Sequence, residues 1–158
     1  MVVVDSCVLI LLSEVGKLSL LRYFKEVLIT PEIYKETTEK DRPGASEIEK
    51  ACKDWIGIER VKLNKTESIS ELNGMERADL SIIMLAKSRG DILLSNSRTL
   101  IQIAKIKGVE CYWLTTFLLK LVKNGKIGKE DAKDIIFDLV ENGMRLRIEV
   151  YAAILKKD

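Results

Sequence analysis

The chain has 158 residues, 47% of them hydrophobic, and a formal net charge of +2. That is enough for one well-formed core and too little for two ordinary domains. Three widely spaced cysteines (Cys7, Cys52, Cys111) with no C-x-x-C pair and no histidine anywhere nearly exclude a Cys/His zinc site and remove every Ser-His-Asp or Cys-His nucleophile pair.

No apolar run approaches the roughly 20 residues that span a bilayer. Val2–Val4 follows Met1 with no basic segment before it, so a cytoplasmic, non-membrane protein is expected. Its chemistry must rest on carboxylates, lysines or hydroxyls, and carboxylates favour hard cations such as Mg²⁺ or Mn²⁺.

In chain order the pattern alternates strand and helix, which predicts an α/β domain with a largely parallel sheet. Val2–Val4 reads as the first strand, 7–14 as a helix ending near Gly16, and Leu18, Leu21 and Phe24 continue with helical spacing. Val27–Ile29 is a second strand. Thr30-Pro31 is a helix start, with Thr30 as N-cap and Pro31 in the first helical position. A turn at Asp41-Arg42-Pro43-Gly44 leads to a charged helix over 45–55 and a strand over 58–63. After Asn73-Gly74, Ala78, Ile82, Leu85 and Ala86 define a helix over 76–89, closed by Gly90. A strand at 91–94, a helix at 98–107 and a strand at 109–112 follow. The tail then carries two helical stripes, 114–122 and 132–140, joined by a turn at 124–128; they read as a helical hairpin, with 147–155 as a last helix or strand. Residues 1–112 are thus an α/β core and 113–158 a C-terminal extension of one domain.

Ligands of parallel α/β sheets bind outside the carboxyl ends of the strands, so the acids there are the ones to inspect. Asp5 ends the first strand and opens the next helix; it is either a helix cap or a charge projected over the sheet edge. Glu76 and Asp79 share one side of a helix start, where acids also complement the helix dipole. Asp79 lies among Ala78, Leu80, Ile82 and Ile83, and a bare carboxylate there is costly without a cation. Glu36 alone reads as a surface acid. The fourth strand leads into Ser95-Asn96-Ser97-Arg98; Asn96 or Ser97 can cap the helix or offer oxygens to a metal. Arg98, Gln102 and Lys105 form a stripe, either solvated or placed to hold a phosphate backbone.

These segments resemble the PIN-domain family. Val2-Val3-Val4-Asp5-Ser6-Cys7-Val8-Leu9 is similar to its opening block, and Ile29-Thr30-Pro31-Glu32-Ile33-Tyr34-Lys35-Glu36 to its second. Leu72-Asn73-Gly74-Met75-Glu76-Arg77-Ala78-Asp79 is similar to the third, and Ile92-Leu93-Leu94-Ser95-Asn96-Ser97-Arg98 matches the fourth in spacing. Gly143-Met144-Arg145-Leu146 resembles the Gly-Phe-Arg-Ile of a VapC-like prokaryotic subgroup with a C-terminal helical extension. The resemblance spans essentially the whole chain.

It implies a three-layer fold with a central, mostly parallel sheet, and a metal-dependent ribonuclease of VapBC toxin type, with RNA as substrate, an antitoxin as a partner and a homodimer as the assembly. Carried over, Asp5, Glu36, Glu76 and Asp79 are the acidic site, and Asp5, Asp79, Glu36 and Asn96 the ligands of Mg²⁺ or Mn²⁺. Ser6, Ser97, Arg98 and Lys105 contact the substrate. Asn96 departs from the family, which has Asp there, and Cys7 replaces the commoner Ser or Asn. A lost carboxylate weakens a hard-metal site, so Asn96→Asp is expected to tighten Mn²⁺ binding. The rival readings are a degenerate PIN module that binds RNA or protein without cutting, a receiver-like or flavodoxin-like domain using Asp5, and a structural subunit.

Overall fold

The computed structural model describes residues 1–62, 76–148 and 150–152. β1 (Val2–Val4) is three valines with no exposed surface. Burial on both faces is the mark of a central parallel strand. β1 lies between β2 (Val27–Ile29) and β4 (Ile92–Leu94), with β3 (Ile56–Ile58) and β5 (Cys111–Tyr112) at the edges. All five strands are parallel, in the order β3-β2-β1-β4-β5. The chain moves outward from β1 to β3 and then returns to β1's other side. The seam between β1 and β4 is therefore the switch point where such sheets open a crevice.

Helices make the crossovers that parallel pairing requires. α1 (Ser6–Glu14) and a 3-10 helix, Leu18–Tyr23, connect β1 to β2; α2 (Pro31–Thr38) and α3 (Ala45–Asp54) connect β2 to β3. α4 (Arg77–Arg89) precedes β4, and α5 (Arg98–Ile106) joins it to β5. With helices flanking the sheet, the architecture is a three-layer α/β fold. α6 (Leu114–Lys123) and α7 (Lys129–Glu141) form the expected hairpin.

Local signals set these boundaries. Thr30 Oγ1 accepts from the Ile33 N–H at 3.3 Å, with Pro31 in the first helical position of α2. Gly90, at φ +68°, closes α4 in the left-handed conformation. Gly44, at φ +75°, begins α3 so close to α1 that a Cβ there would meet the Ser13 side chain. The 18–24 stretch winds as a 3-10 helix instead of an α-helix, one of the short connectors that conformation serves. Residues 148 and 150–152 are helical, as one of the two readings of 147–155 has it.

One strand is displaced. The expected 58–63 strand is Ile56–Ile58, paired in register with Val27, Leu28 and Ile29. The apolar Ile58, Val61 and Leu63 drew the reading C-terminally, and Gly57 masked the true strand, since glycine is depleted there. Gly57 in fact lies against Leu28, whose Cδ2 a Cβ would approach to 2.8 Å. Residue 63 and the Leu72–Met75 part of the third motif block lie outside the described residues.

The hairpin stripes are largely satisfied within the chain. Leu114, Phe117, Leu118 and Leu121 of α6 are buried, as are Ala132, Ile135, Ile136 and Leu139 of α7. Phe137 and Val140 stay exposed on α7.

Candidate metal centre

Asp5 leaves β1 at its carboxyl end and caps α1, its Oδ1 accepting the Ser6 N–H at 2.7 Å. Capping accounts for one oxygen only. Oδ2 accepts from the Ser95 hydroxyl at 2.7 Å and from the Cys7 thiol at 3.2 Å. Ser95 follows β4 as Asp5 follows β1, and the Asp5 N–H donates to the Leu94 carbonyl at 3.0 Å. The carboxylate thus sits over the switch point, 3% exposed, held by neutral donors that leave its charge unbalanced. Burial and the neighbouring Asp5 push the Cys7 thiol well up, which keeps it a neutral donor at physiological pH.

The other acids converge on this charge from two helices. Ser6 Oγ lies 3.4 Å from both Asp5 Oδ1 and Glu36 Oε1, so one hydroxyl bridges α1 and α2. Burial, then Asp5, then Glu76 raise the Glu36 carboxyl, with Ser6 and Arg42 opposing. Asp79, half-buried in the first turn of α4, is pushed up to about 6 by burial and by the charges of Asp5, Glu76 and Glu36. Glu76 is the exposed N-cap residue of α4 and makes no side-chain cap bond. Its carboxylate is therefore not consumed by the helix. All four acids named from the sequence lie within one another's field.

A buried hydroxyl pair fixes the relation between α2 and α4. Ser81 Oγ donates to the Ala78 carbonyl at 2.6 Å and lies 2.8 Å from Thr30 Oγ1, which itself accepts from Ile33. Each hydroxyl has one proton, so Thr30 donates to Ser81. Neither residue is more than 1% exposed. Thr30 and Ser95 lie inside the second and fourth motif blocks and Ser81 just past the third, but being uncharged they carry no sequence signal for a role at the site beyond the Thr30 cap. Ser95 and Thr30 are each the first residue past an interior strand, the position at which such sheets present their polar groups.

The remaining sequence candidates are placed differently. Asn96 Oδ1 accepts from the Leu114 N–H at 3.0 Å, tying the exit of β4 to the start of α6. Its backbone N–H faces Cys7 Sγ at 3.4 Å. Ser97, not Asn96, caps α5, its Oγ accepting from Leu100 at 3.3 Å. Arg98 is exposed at the sheet edge that carries the acids. Lys105 lies seven residues further on, about 10 Å along the helix at 1.5 Å per residue, where its charge acts on Cys111 at the start of β5. The Arg98–Lys105 stripe thus runs away from the acids.

Among the described residues, no group of three or more Asp, Glu or Cys side chains already surrounds a point where an ion could sit. The donor chemistry does fit a hard divalent cation. Four carboxylates share one field, and two of them are raised by burial and mutual repulsion. A cation would relieve both costs.

A family model described as a PIN domain (DUF3368) matches residues 1–158. The chain belongs to the PIN-domain family. PIN domains are nuclease-like modules that generally depend on divalent metal, and this PIN domain presents its acids at the edge where the fold opens. No curated protein matches the chain. Among solved structures it is similar to a domain of a functionally unknown protein from Methanocaldococcus jannaschii DSM 2661, at 22% identity and a TM-score of 0.47, over 72% of this chain and 89% of that one. In this PIN domain no helix among the described residues is long and apolar enough to cross a membrane.

Proposed function

We propose that this PIN domain is a metal-dependent ribonuclease that hydrolyses RNA phosphodiesters with Mg²⁺ or Mn²⁺ held by Asp5, Asp79, Glu36 and Glu76. The observation that carries the reading is the convergence of the acids at the sheet's opening, where Ser6 Oγ lies 3.4 Å from carboxylate oxygens of both Asp5 and Glu36 and half-buried Asp79 lies in the first turn of α4. Evolution of a fold has no stability reason to bring four like charges to one crevice, and a cation supplies one. When bound, the metal lowers the pKa of a water and stabilises charge on the phosphate and leaving oxygen.

The chain's own residues have separable tasks. Asp5, locked by Ser6, Cys7 and Ser95, is the rigid ligand. Asp79 and Glu36, both half-buried, would complete the shell of the ion directly or through water, and exposed Glu76 would bind through water or orient the nucleophile. The Asn96 oxygen accepts from Leu114 and, with its second lone pair, would offer the ion an uncharged contact. A homodimer through the exposed Phe137 and Val140 of α7 and an antitoxin partner belong to the same proposal. The test is cleavage of an end-labelled RNA pool with Mn²⁺, for wild type and Asp5→Asn. Cleavage by wild type alone is expected. Equal cleavage by both proteins overturns the assignment of the chemistry to Asp5, and no cleavage by wild type with any divalent metal overturns the reading in favour of a binding-only module.

A further inference from the structure

Next to the acids, across the wall formed by Cys7, a cavity of about 530 Å³ opens between the exit of β4, the start of α6 and the arm that follows α7. Its lining contains Asn96, Arg98, Trp113, Arg145 and Arg147 and no acidic residue. Its volume is within the range of small-ligand sites, roughly 300–1,000 Å³. Cys7 belongs to both places: it lines the cavity, and its thiol donates to Asp5 Oδ2. The chain therefore sets a groove of apolar side chains whose charged lining is all arginine directly against the acidic centre. Within the groove the Arg147 guanidinium lies 5.0 Å from the centroid of the Trp113 ring. Trp113 is partly exposed, whereas Arg98, Arg145 and Arg147 are open to solvent.

We infer that this groove holds the single-stranded RNA that flanks the cleaved bond, with one base against Trp113 and the neighbouring phosphates on Arg98, Arg145 and Arg147. The inference rests on the ribonuclease reading for the identity of the strand, but the groove has its own signature. Arginines supply forked donors suited to phosphate. An indole face supplies a platform on which any unpaired base can stack. A duplex keeps its bases stacked inside and cannot offer one to the ring, so the groove selects single strands. The carboxylates alone recognise metal and phosphate and cannot make that selection. An acidic peptide would satisfy the arginines equally but would gain nothing from stacking, which is why the nucleic acid is favoured.

The experiment is fluorescence anisotropy in EDTA, where binding is read without cleavage. The probes are a fluorescein-labelled ten-nucleotide oligouridylate, a labelled RNA duplex, and an unlabelled poly-glutamate peptide as competitor. Trp113→Leu is expected to weaken oligouridylate binding by about 5- to 150-fold, the range for losing one stacked base. Trp113→Phe should recover most of it, which a folding defect would not. Arg147→Ala, with the indole intact, should lower the salt slope of oligouridylate binding by about 0.7. The duplex should bind weakly and ignore Trp113→Leu. The inference is overturned if Trp113→Leu stays within twofold of wild type, if duplex and single strand bind alike, or if poly-glutamate competes as well as unlabelled oligouridylate. Oligouridylate binding through Trp113 by a protein that never cleaves would sink the ribonuclease reading and leave the groove standing. Cleavage by a Trp113→Leu variant with unaltered RNA affinity would do the reverse.

Discussion

Replacing Asp79 with asparagine should stabilise the metal-free protein and abolish its gain from metal. In the folded chain this carboxyl is pushed from its ordinary 3.8 to about 6 by burial, Asp5, Glu76 and Glu36. The native state therefore holds the proton more tightly than the unfolded chain. Between those two values stability falls as pH rises, and above about 6 the loss is complete. At 1.36 kcal/mol per pH unit the full cost would be about 3 kcal/mol. Solvent screening at a half-buried site reduces it to on the order of 1 kcal/mol. Asparagine keeps the shape without the charge. In EDTA at pH 7.5, Asp79→Asn should melt about 2–4 °C above wild type, the shift expected for 1 kcal/mol in a domain of this size. The two curves should converge near pH 4. Mn²⁺ at a hundredfold excess over its Kd should then raise wild type by about 2.7 kcal/mol, overtaking the variant, which lacks a charged ligand. Thermal melts by circular dichroism, in EDTA and in Mn²⁺, read all of this. A variant less stable than wild type in EDTA at pH 7.5, or raised equally by Mn²⁺, would show that Asp79 neither carries this charge cost nor binds the ion.

Other expectations follow from single contacts. Ser95→Ala removes a fully buried donor to Asp5 and should cost about 1–3 kcal/mol in urea unfolding, with weaker Mn²⁺ binding by titration calorimetry. Ser81→Ala breaks the Thr30–Ser81 link between α2 and α4; it should lower RNA cleavage although it touches no acid, with a stability loss of about 1–3 kcal/mol. Asn96→Asp retains an oxygen for the Leu114 N–H, so its Mn²⁺ affinity should change less than about tenfold (1.4 kcal/mol), whereas Asn96→Ala should cost about 0.5–2 kcal/mol in stability. Gly44→Ala puts a methyl on the Ser13 side chain at positive φ and should destabilise by about 1–3 kcal/mol.

What the sequence made legible is what local chemistry encodes. Three valines before an aspartate, a threonine-proline helix start and a glycine-closed helix with acids in its first turns each carry their meaning within ten residues. They located β1, α2 and α4 and singled out Asp5, Glu76 and Asp79, whereas Glu36 was named only through the family resemblance. The displaced β3 shows the limit, because Gly57 belongs to that strand for its fit against Leu28, a neighbour no periodicity reveals. The site's neutral scaffold was hidden for the same reason. Ser95 meets Asp5 across 90 residues, and Thr30 meets Ser81 across 51. Asn96 reads naturally as a ligand or a cap for the helix just after it, yet its oxygen serves a helix 18 residues away. Such partners are fixed by the order of strands in the sheet, and a motif records only the charged residue that the order presents.

In the proposed centre Asp5 and Asp79 share one divalent cation. A crystal of the protein soaked in millimolar Mn²⁺ tests it most directly, through the anomalous signal of the ion. A peak is expected at roughly 2.1–2.3 Å from a carboxylate oxygen of each residue, the reach of a hard-cation bond, with Glu36 or Glu76 completing the shell directly or through water. Full-occupancy Mn²⁺ elsewhere, with no peak between Asp5 and Asp79, would contradict it.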